Sequence, residues 1–131
     1  MKSLAFSFFL LGITSCTPLL PSGEKFTKTE LYFGLMIPDG GKVTEADWDT
    51  FVAEEVTNRF PDGLTILDSE GQWKDTESTK VLEEPSKTVI ILYKPSKENQ
   101  EKVEAIRKAY MKQFKQQAVM RVDYRTKVKF F

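Results

Sequence analysis

Apolar residues recur along the chain with the period of a strand in some segments and of a helix in others. Residues 28–37 and 88–93 are apolar in both alternating sets, which predicts two strands buried on both faces. Residues 122–130 alternate strictly between apolar or aromatic and charged side chains, which predicts a strand with one buried face. Two shorter strands are predicted at residues 64–68 and 80–83.

Two segments have the spacing and the caps of helices. Thr44 is placed to cap the first, which is predicted to end near Asn58, and Ser96 to cap the second, which is predicted to run to about Gln116. Acidic residues stand in the first turn of each, where the positive end of the helix dipole favours them. Both segments are therefore predicted to be amphipathic helices.

The elements follow one another as strand, helix, strand, strand, helix, strand. This βαββαβ order predicts an α+β ferredoxin-like fold, a four-stranded antiparallel sheet with both helices on one face. The first and third strands are central in that topology, and they are the two most apolar strands here. We expect Ser69–Gly71 to form a turn that adds a hairpin to the second strand, and Pro85 to end the short edge strand at residues 80–83.

The first sixteen residues resemble a bacterial lipoprotein signal. An apolar run begins at Leu4 behind Lys2 and ends in Ile13, Thr14, Ser15 and Cys16. The run is too short to span a bilayer, which takes about 20 residues. We predict a signal peptide at residues 1–15, a lipidated Cys16 with a tether to residue 25, and one ferredoxin-like domain over residues 26–131. An ordinary secretion signal and a buried N-terminal strand are the alternatives.

Composition excludes several kinds of chemistry. The chain has no histidine, one cysteine and a formal net charge of zero. Histidine-based triads and imidazole metal sites cannot be built, and an acylated Cys16 leaves no thiol for catalysis or a disulfide. The balanced charge gives no reason to expect nucleic acid as a partner. We therefore expect no metal, no cofactor and no bound nucleic acid.

Three short motifs resemble a known family. They are Arg59–Thr65 (RFPDGLT), Gly71–Trp73 (GQW) and Glu84–Lys87 (EPSK). Together they resemble the signature of a bacterial family of small exported proteins, domain of unknown function 3574. The resemblance is good from Thr29 to Tyr93 and weaker beyond. It implies the fold and export, but no mechanism, because the family has no assigned activity.

The same motifs contain the candidate site. If the predicted hairpin folds back, five residues could grip a small anionic or sugar-like ligand, and they are Arg59, Asp62, Gln72, Trp73 and Lys87. The alternative is that these motifs are structural, with Pro61-Asp62-Gly63 serving only as a turn.

The basic side chains of the last strand also have two interpretations. Arg121, Arg125, Lys127 and Lys129 could meet anionic lipid head groups near the anchor. They could equally protect an edge strand from pairing with other chains.

Three functions remain open on the sequence. The first is a lipid-anchored binding or interaction module of the cell envelope, expected at the outer membrane because Thr17 is not an aspartate. The second is a cofactor-independent enzyme of the dimeric α/β-barrel kind, with Asp62 or a tyrosine as the acid–base group. The third is a purely structural envelope protein. The expected partners are the membrane, an envelope protein or a small anionic ligand, and a second copy bound through the bare sheet face unless residues 64–80 cover it.

Overall fold

Four strands and two helices account for most of residues 22–130, which are the residues that the computed structural model describes. Their bounds are β1 Glu24–Gly34, α1 Glu45–Phe51, β2 Thr65–Lys74, β3 Val81–Tyr93, α2 Lys97–Gln113 and β4 Met120–Val128. A π-helical segment, Val52–Thr57, continues α1 without a break. The predicted signal peptide and Cys16 lie outside the described residues.

The strands form one antiparallel sheet in the order β2-β3-β1-β4. The two apolar strands β1 and β3 are central, and β2 and β4 are the edges. Alternate residues of the central strands, such as Leu31 and Val89, pack against residues of both helices in one buried core. Both helices therefore cover the same face, and the predicted ferredoxin-like fold is confirmed.

Aromatic rings fill the core between the helices and the sheet. Phe33 of β1 lies edge-on to three of them, with centroid distances of 5.2 Å to Trp48, 5.8 Å to Phe51 and 4.7 Å to Tyr110. The helix starts are capped as predicted. Thr44 and Asp47 form a reciprocal capping box on α1, and the Ser96 hydroxyl accepts a 3.1 Å hydrogen bond from the main-chain N–H of Asn99 on α2.

The predicted turn at Ser69–Gly71 is wrong. These residues lie within β2 and are paired with Ser86, Pro85 and Glu84 of β3. The Ser69 hydroxyl is hydrogen-bonded to those of Ser86 at 3.0 Å and Thr88 at 2.9 Å. The chain turns instead at residues 75–80, where the N–H of Asp75 donates to the carbonyl of Lys80. An extra hairpin does exist, but it is formed by the ends of β2 and β3.

Pro85 does not end a strand either, since β3 continues through it. The Pro85 carbonyl accepts a 3.0 Å hydrogen bond from the N–H of Leu35, so the Pro85 nitrogen faces the β1 side rather than β2. That nitrogen lies beyond the last pair between β1 and β3, Gly34 with Ser86, so no ladder hydrogen bond is lost. Residues 69–86 thus form a two-stranded ribbon that projects past β1.

The predicted tether ends two residues too late. Glu24 and Lys25 already belong to β1 and are paired with Val128 and Lys127 of β4. Long-range pairing decides this boundary, because neither residue has a strong preference for strand structure.

The sheet face opposite the helices stays uncovered within residues 22–130. Leu67, Leu92 and Tyr124 on this open face keep 48%, 43% and 48% of their surface exposed. The β2–β3 hairpin lies in the plane of the sheet and does not fold over the face. Near the centre, Glu30 pairs with Lys28 at 2.7 Å and accepts a hydrogen bond from the Tyr32 hydroxyl.

Candidate functional site

A groove of about 630 Å³ lies at the end of the sheet where β1 begins and β3 ends. Three segments that are distant in sequence form its walls: the loop of residues 59–65, the end of β3 with residue 94, and the first turns of α2. Phe26 and Phe130 complete it on the side of the open face. We call it the end groove.

The loop on one side of the end groove is held by the π-helical segment before it. Arg59 donates hydrogen bonds to the carbonyl of Glu55 at 2.7 Å and to its carboxylate at 2.6 Å. Asn58 donates to the carbonyl of Glu54 at 3.1 Å. These side chains satisfy carbonyl groups that the end of a helix leaves unpaired. Segments of π-helix are rare and are often found at functional sites.

Phe60 and Gly63 set the path of the loop. The Phe60 ring is buried and lies 5.4 Å from that of Tyr93, centroid to centroid. Gly63 has φ +132°, a conformation that side chains with a Cβ rarely adopt. Pro61-Asp62-Gly63 thus forms a turn, and the same turn lines the end groove.

Three cationic side chains line the end groove, and Asp62 is its one acid. They are Arg59, Lys94 of the loop before α2, and Lys102 of α2. Each is paired with a carboxylate: Lys94 with Glu24 at 2.9 Å and Lys102 with Glu98 at 2.8 Å, as well as Arg59 with Glu55. Ion pairs at such exposed positions contribute little, so an anionic ligand could replace their acidic partners.

A chain of hydrogen bonds closes the back of the end groove. Gln100 donates to the hydroxyl of Tyr93 at 3.2 Å, which lies 2.7 Å from the hydroxyl of Thr29. The Thr29 hydroxyl in turn donates to Asp123 at 2.5 Å. Because Thr29 and Tyr93 are buried, these bonds orient the Tyr93 ring rigidly beside the end groove.

The structure brings together two of the five candidate site residues. Arg59 and Asp62 share the end groove. Gln72 and Trp73 lie on the ribbon, where Gln72 donates to Glu83 and Trp73 is paired with Leu82. Along β2 this is about 26 Å from the end groove, at 3.3 Å per residue. The five residues therefore do not form one site, because β2 continues in register with β3 through Gln72 and Trp73 and does not turn back at residues 69–71.

Lys87 has a separate role. Its ammonium group lies 2.6 Å from Asp68 of β2 and 2.9 Å from Glu45 of α1, and only 8% of its side chain is exposed. Hydrogen bonds to these two carboxylates raise the pKa of Lys87 above its usual range. The side chain ties an edge strand and the first helix to the centre of the sheet.

Other groove residues carry no motif and were missed by sequence reasoning. In the sequence, Lys94 lies in a loop and Lys102 on a helix, and neither position indicates a binding site. Asn99 orders the turn between them by donating a 2.9 Å hydrogen bond to the Lys94 carbonyl. No sequence signal connects these residues to the Arg59 loop, because they become its neighbours only when α2 packs beside the end of β3.

The basic residues of β4 divide into two groups. Arg121 faces α2, at 2.7 Å from Glu104 and 3.0 Å from Asp123, and only 13% of its side chain is exposed. Arg125, Lys127 and Lys129 are exposed beyond the helix layer. β4 is an edge strand, which is the position that the protection of an edge from pairing with other chains requires.

Residues 22–130 contain neither a metal-binding cluster nor a membrane-spanning helix. No group of three or more acidic, cysteine or histidine side chains there is arranged to hold a metal ion. None of the helices in this part of the chain has the length and apolar character needed to cross a membrane.

Comparison with known proteins shows one family and a shared fold. The family model "Protein of unknown function (DUF3574)" matches residues 28–130. No curated protein matches the chain.

Three solved structures share the fold. A phage SAM lyase in complex with S-methyl-5'-thioadenosine has a TM-score of 0.56 and 21% identity, over 84% of this chain and 95% of that chain. The apo form of a phage SAM lyase has a TM-score of 0.56 and 18% identity, over 88% and 99%. A GlnK–ATP complex from B. subtilis has a TM-score of 0.53 and 11% identity, over 81% and 85%. At these identities the likeness concerns the fold alone.

Proposed function

This chain belongs to the DUF3574 family of proteins of unknown function, and we propose that it is a lipid-anchored module of the bacterial cell envelope that binds a small anionic ligand in the end groove. The observation that carries the ligand proposal is the set of three cationic side chains around one apolar recess. Arg59, Lys94 and Lys102 outnumber the single acid, Asp62. An anion entering there would contact these three cations in place of their present partners Glu55, Glu24 and Glu98, and it would meet Asp62 as a repulsive group.

The size and the apolar surface of the end groove indicate the rest of the ligand. A volume of about 630 Å³ falls within the range of small-molecule sites, roughly 300–1,000 Å³. Phe60, Leu64 and Leu92 supply apolar contact surface beside the cations. The ligand that fits best is a small acid with a flat or apolar body, held by the cations at one end and by van der Waals contact at the other.

Two of the similar structures hold adenosine derivatives, S-methyl-5'-thioadenosine and ATP. The identity is too low to transfer these ligands to this chain. They are nevertheless useful probes, because both contain the flat adenine ring and only ATP carries an anionic triphosphate. A preference for ATP would support recognition of charge, and equal binding would not.

The proposal is tested by ligand binding with a matched pair of α2 variants. Anilinonaphthalene sulfonate, a flat apolar anion, and ATP are titrated by fluorescence and calorimetry into the unmodified domain, Lys102→Gln and Lys108→Gln. We expect Lys102→Gln to weaken binding about tenfold, the effect of one charged hydrogen bond. Lys108→Gln removes the same charge on the same helix outside the end groove and should bind normally. Equal binding by the two variants would refute the proposal that the anion binds in the end groove.

The anchor is proposed from the residues before Cys16. Acyl chains contribute about 0.8 kcal/mol per buried CH₂, so two or three of them hold a domain of this size on a membrane. In cells given labelled palmitate, the full chain should carry the label and sediment with the outer membrane. Cys16→Ser should lose the label and either stay unprocessed or be released by carbonate. A Cys16→Ser protein that is processed and fractionates like the unmodified protein would refute the anchor.

The tyrosines give the enzyme alternative less support. The Tyr93 hydroxyl, the one nearest the end groove, is engaged with Thr29 and Gln100. Burial raises the pKa of Tyr110 well above its usual range, and its hydroxyl donates to Gly34. A general acid–base group works best when its pKa is near the operating pH. Binding without turnover is therefore the better proposal for the end groove.

A further inference from the structure

Basic residues concentrate at the end of the sheet where the described chain begins. This end, which we call the entry end, comprises residues 24–27, 92–97 and 125–130. It contains six basic residues and one acid, Glu24. The basic residues are Lys25, Lys94, Lys97, Arg125, Lys127 and Lys129. Lys94 is paired with Glu24 at 2.9 Å and Lys97 with Glu101 at 3.6 Å, so the unbalanced positive charge within residues 22–130 is that of Lys25, Arg125, Lys127 and Lys129.

Strand pairing holds some of these charges close together. Lys25 of β1 lies directly opposite Lys127 of β4, and Arg125 is opposite Thr27 on the same side of the sheet. Like charges directly opposite each other in an antiparallel pair repel and destabilise the pair. An anionic surface in front of these residues would convert that repulsion into attraction. The arrangement is therefore suited to an extended anionic partner.

Apolar side chains lie on the open-face side of the entry end, whereas Lys25, Arg125 and Lys127 belong to the opposite, helix-side set of their strands. Phe130 is 77% exposed and Leu92 is 43% exposed, and Phe26 lies between them at the rim of the end groove. Exposed aromatic and branched apolar residues beside lysines are typical of surfaces that lie on a bilayer, where the rings enter the head-group region.

The opposite end of the molecule has the opposite charge. The ribbon, residues 69–86, contains five acidic residues and two lysines. From Glu24 along β1 and then along the ribbon to Val81 the distance is about 50 Å, at 3.3 Å per residue. A domain with a basic and an acidic end is oriented by an anionic surface. Its basic end approaches that surface, and its acidic end points away from it.

The position of Ser22 agrees with that orientation. The chain enters the described structure at the entry end, where a Cβ at Gly23 would lie 2.9 Å from the Val128 carbonyl oxygen. Ser22 is six positions after Cys16 in the sequence, and six residue steps reach at most about 20 Å when fully extended. An acyl anchor on Cys16 would therefore keep the entry end within reach of the head groups.

We propose that the entry end docks on the surface of an anionic bilayer, with Phe130 in the head-group region and the acidic ribbon pointing away from the membrane. The docking uses the domain's own residues and is independent of acylation. It shares Phe26, Leu92, Lys94 and Phe130 with the end groove, so a bilayer and a groove ligand would compete for these side chains. The lipid partner is defined by its chemistry, a negatively charged phospholipid head group.

The test uses the domain from Thr17 onward, which lacks the anchor. Every strand, both helices and the whole described core lie between Glu24 and Val128, so this chain keeps the complete fold. Binding is measured by co-sedimentation with vesicles of phosphatidylglycerol and phosphatidylcholine, and with phosphatidylcholine alone. We expect binding only to the anionic vesicles, and we expect it to weaken as salt is raised.

A matched pair of triple variants locates the docking surface. Changing Lys25, Lys127 and Lys129 to Gln should weaken binding to anionic vesicles on the order of a hundredfold, at about fivefold per lysine. Changing Lys42, Lys74 and Lys80 to Gln alters the net charge equally, away from the entry end, and should have little effect. Equal binding by the two variants, or equal binding to neutral vesicles, would overturn the proposal.

Orientation is measured by quenching of tryptophan fluorescence with brominated lipid. Trp48 is buried and Trp73 lies on the ribbon, so neither should be quenched in the unmodified domain. Phe130→Trp in a Trp73→Phe background should be quenched strongly. Quenching of Trp73 rather than of the residue at 130 would show that the ribbon faces the bilayer, and the proposed orientation would then be wrong.

Discussion

The phenol of Tyr110 donates a 2.8 Å hydrogen bond to the main-chain carbonyl of Gly34, which lies 76 positions earlier in the sequence. The bond joins the last turn of α2 to the last residue of β1. The Tyr110 side chain is fully buried, and its ring packs edge-on against Phe33 at 4.7 Å. This contact therefore locks the second helix to a central strand through both the polar and the apolar parts of one side chain.

Tyr110→Phe tests the polar part of that contact. The variant keeps the ring but leaves the Gly34 carbonyl without its phenol partner. We expect the free energy of unfolding to fall by about 1–2 kcal/mol. Urea denaturation measures the change. Tyr124→Phe is the control, because the Tyr124 side chain is 48% exposed and its replacement should have almost no effect. Equal denaturation midpoints for the two variants would show that the bond contributes nothing.

Gly63→Val tests the conformation of the turn beside the end groove. Gly63 has φ +132°, and a Cβ there meets no atom within 4 Å, so the expected cost is backbone strain and not a collision. We expect a loss of about 1–3 kcal/mol in stability, measured by thermal or urea unfolding. Gly71→Ala is the control, since its Cβ would make an ordinary 3.8 Å contact with the Glu84 carbonyl oxygen in a strand. Similar stability of both variants would contradict the strained turn.

Glu104 is predicted to contribute stability that depends on pH. Burial by itself would raise the pKa of Glu104, but hydrogen bonds from Arg121 and Arg107 outweigh it, and the pKa lies below its usual value of 4.5. A carboxylate with a lowered pKa in the folded state stabilises that state above the unfolded pKa. The stabilisation is lost as the pH falls through the folded pKa.

The Glu104 prediction is measured as melting temperature against pH for the unmodified domain and Glu104→Gln. The difference between them should be largest near neutral pH and should shrink as the pH falls below about 4.5. Glu101→Gln is the control, because Glu101 makes only an exposed 3.6 Å pair with Lys97. A Glu104→Gln difference that stays constant with pH would rule out the ion pair as its source.

The open face leads to a prediction about self-association. Leu67, Leu92 and Tyr124 leave apolar surface uncovered, and contiguous exposed apolar patches often mark interfaces. We propose that two copies bury this face around a two-fold axis. Light scattering at tens of micromolar should give the mass of a dimer. Leu67→Arg with Met120→Arg, outside the end groove, should give a monomer. A monomeric unmodified domain would end the dimer proposal.

Element type and order could be predicted from the sequence because they depend on short-range physics. The capping hydroxyls of Thr44 and Ser96 bond to N–H groups three residues away. The central position of β1 and β3 follows from their apolar character, but the burial expected on both faces is found on the helix side only, and Leu92 on the open face is 43% exposed. The ferredoxin-like topology then follows from the order of elements.

Tertiary structure decided the features in which the local preference of the sequence was overridden, such as the length of β2. Ser69, Glu70 and Gly71 are turn residues by composition, yet pairing with β3 and the hydroxyl bonds of Ser69 outweigh that preference and extend β2 by six residues. Lys87 stands beside a candidate motif in the sequence, but its partners Asp68 and Glu45 are 19 and 42 positions away. Partners at such separations cannot be recognised from spacing.

The end groove also depends on residues that are distant in sequence. The signal at Cys16 and the Arg59–Thr65 turn are contiguous in sequence, so their residues could be recognised together. The groove joins that turn to Lys94 and Lys102, which become its neighbours only when α2 packs back on the sheet beside the end of β3. A turn can form from its own residues, whereas a cavity between three segments exists only after the helix and the sheet have packed together.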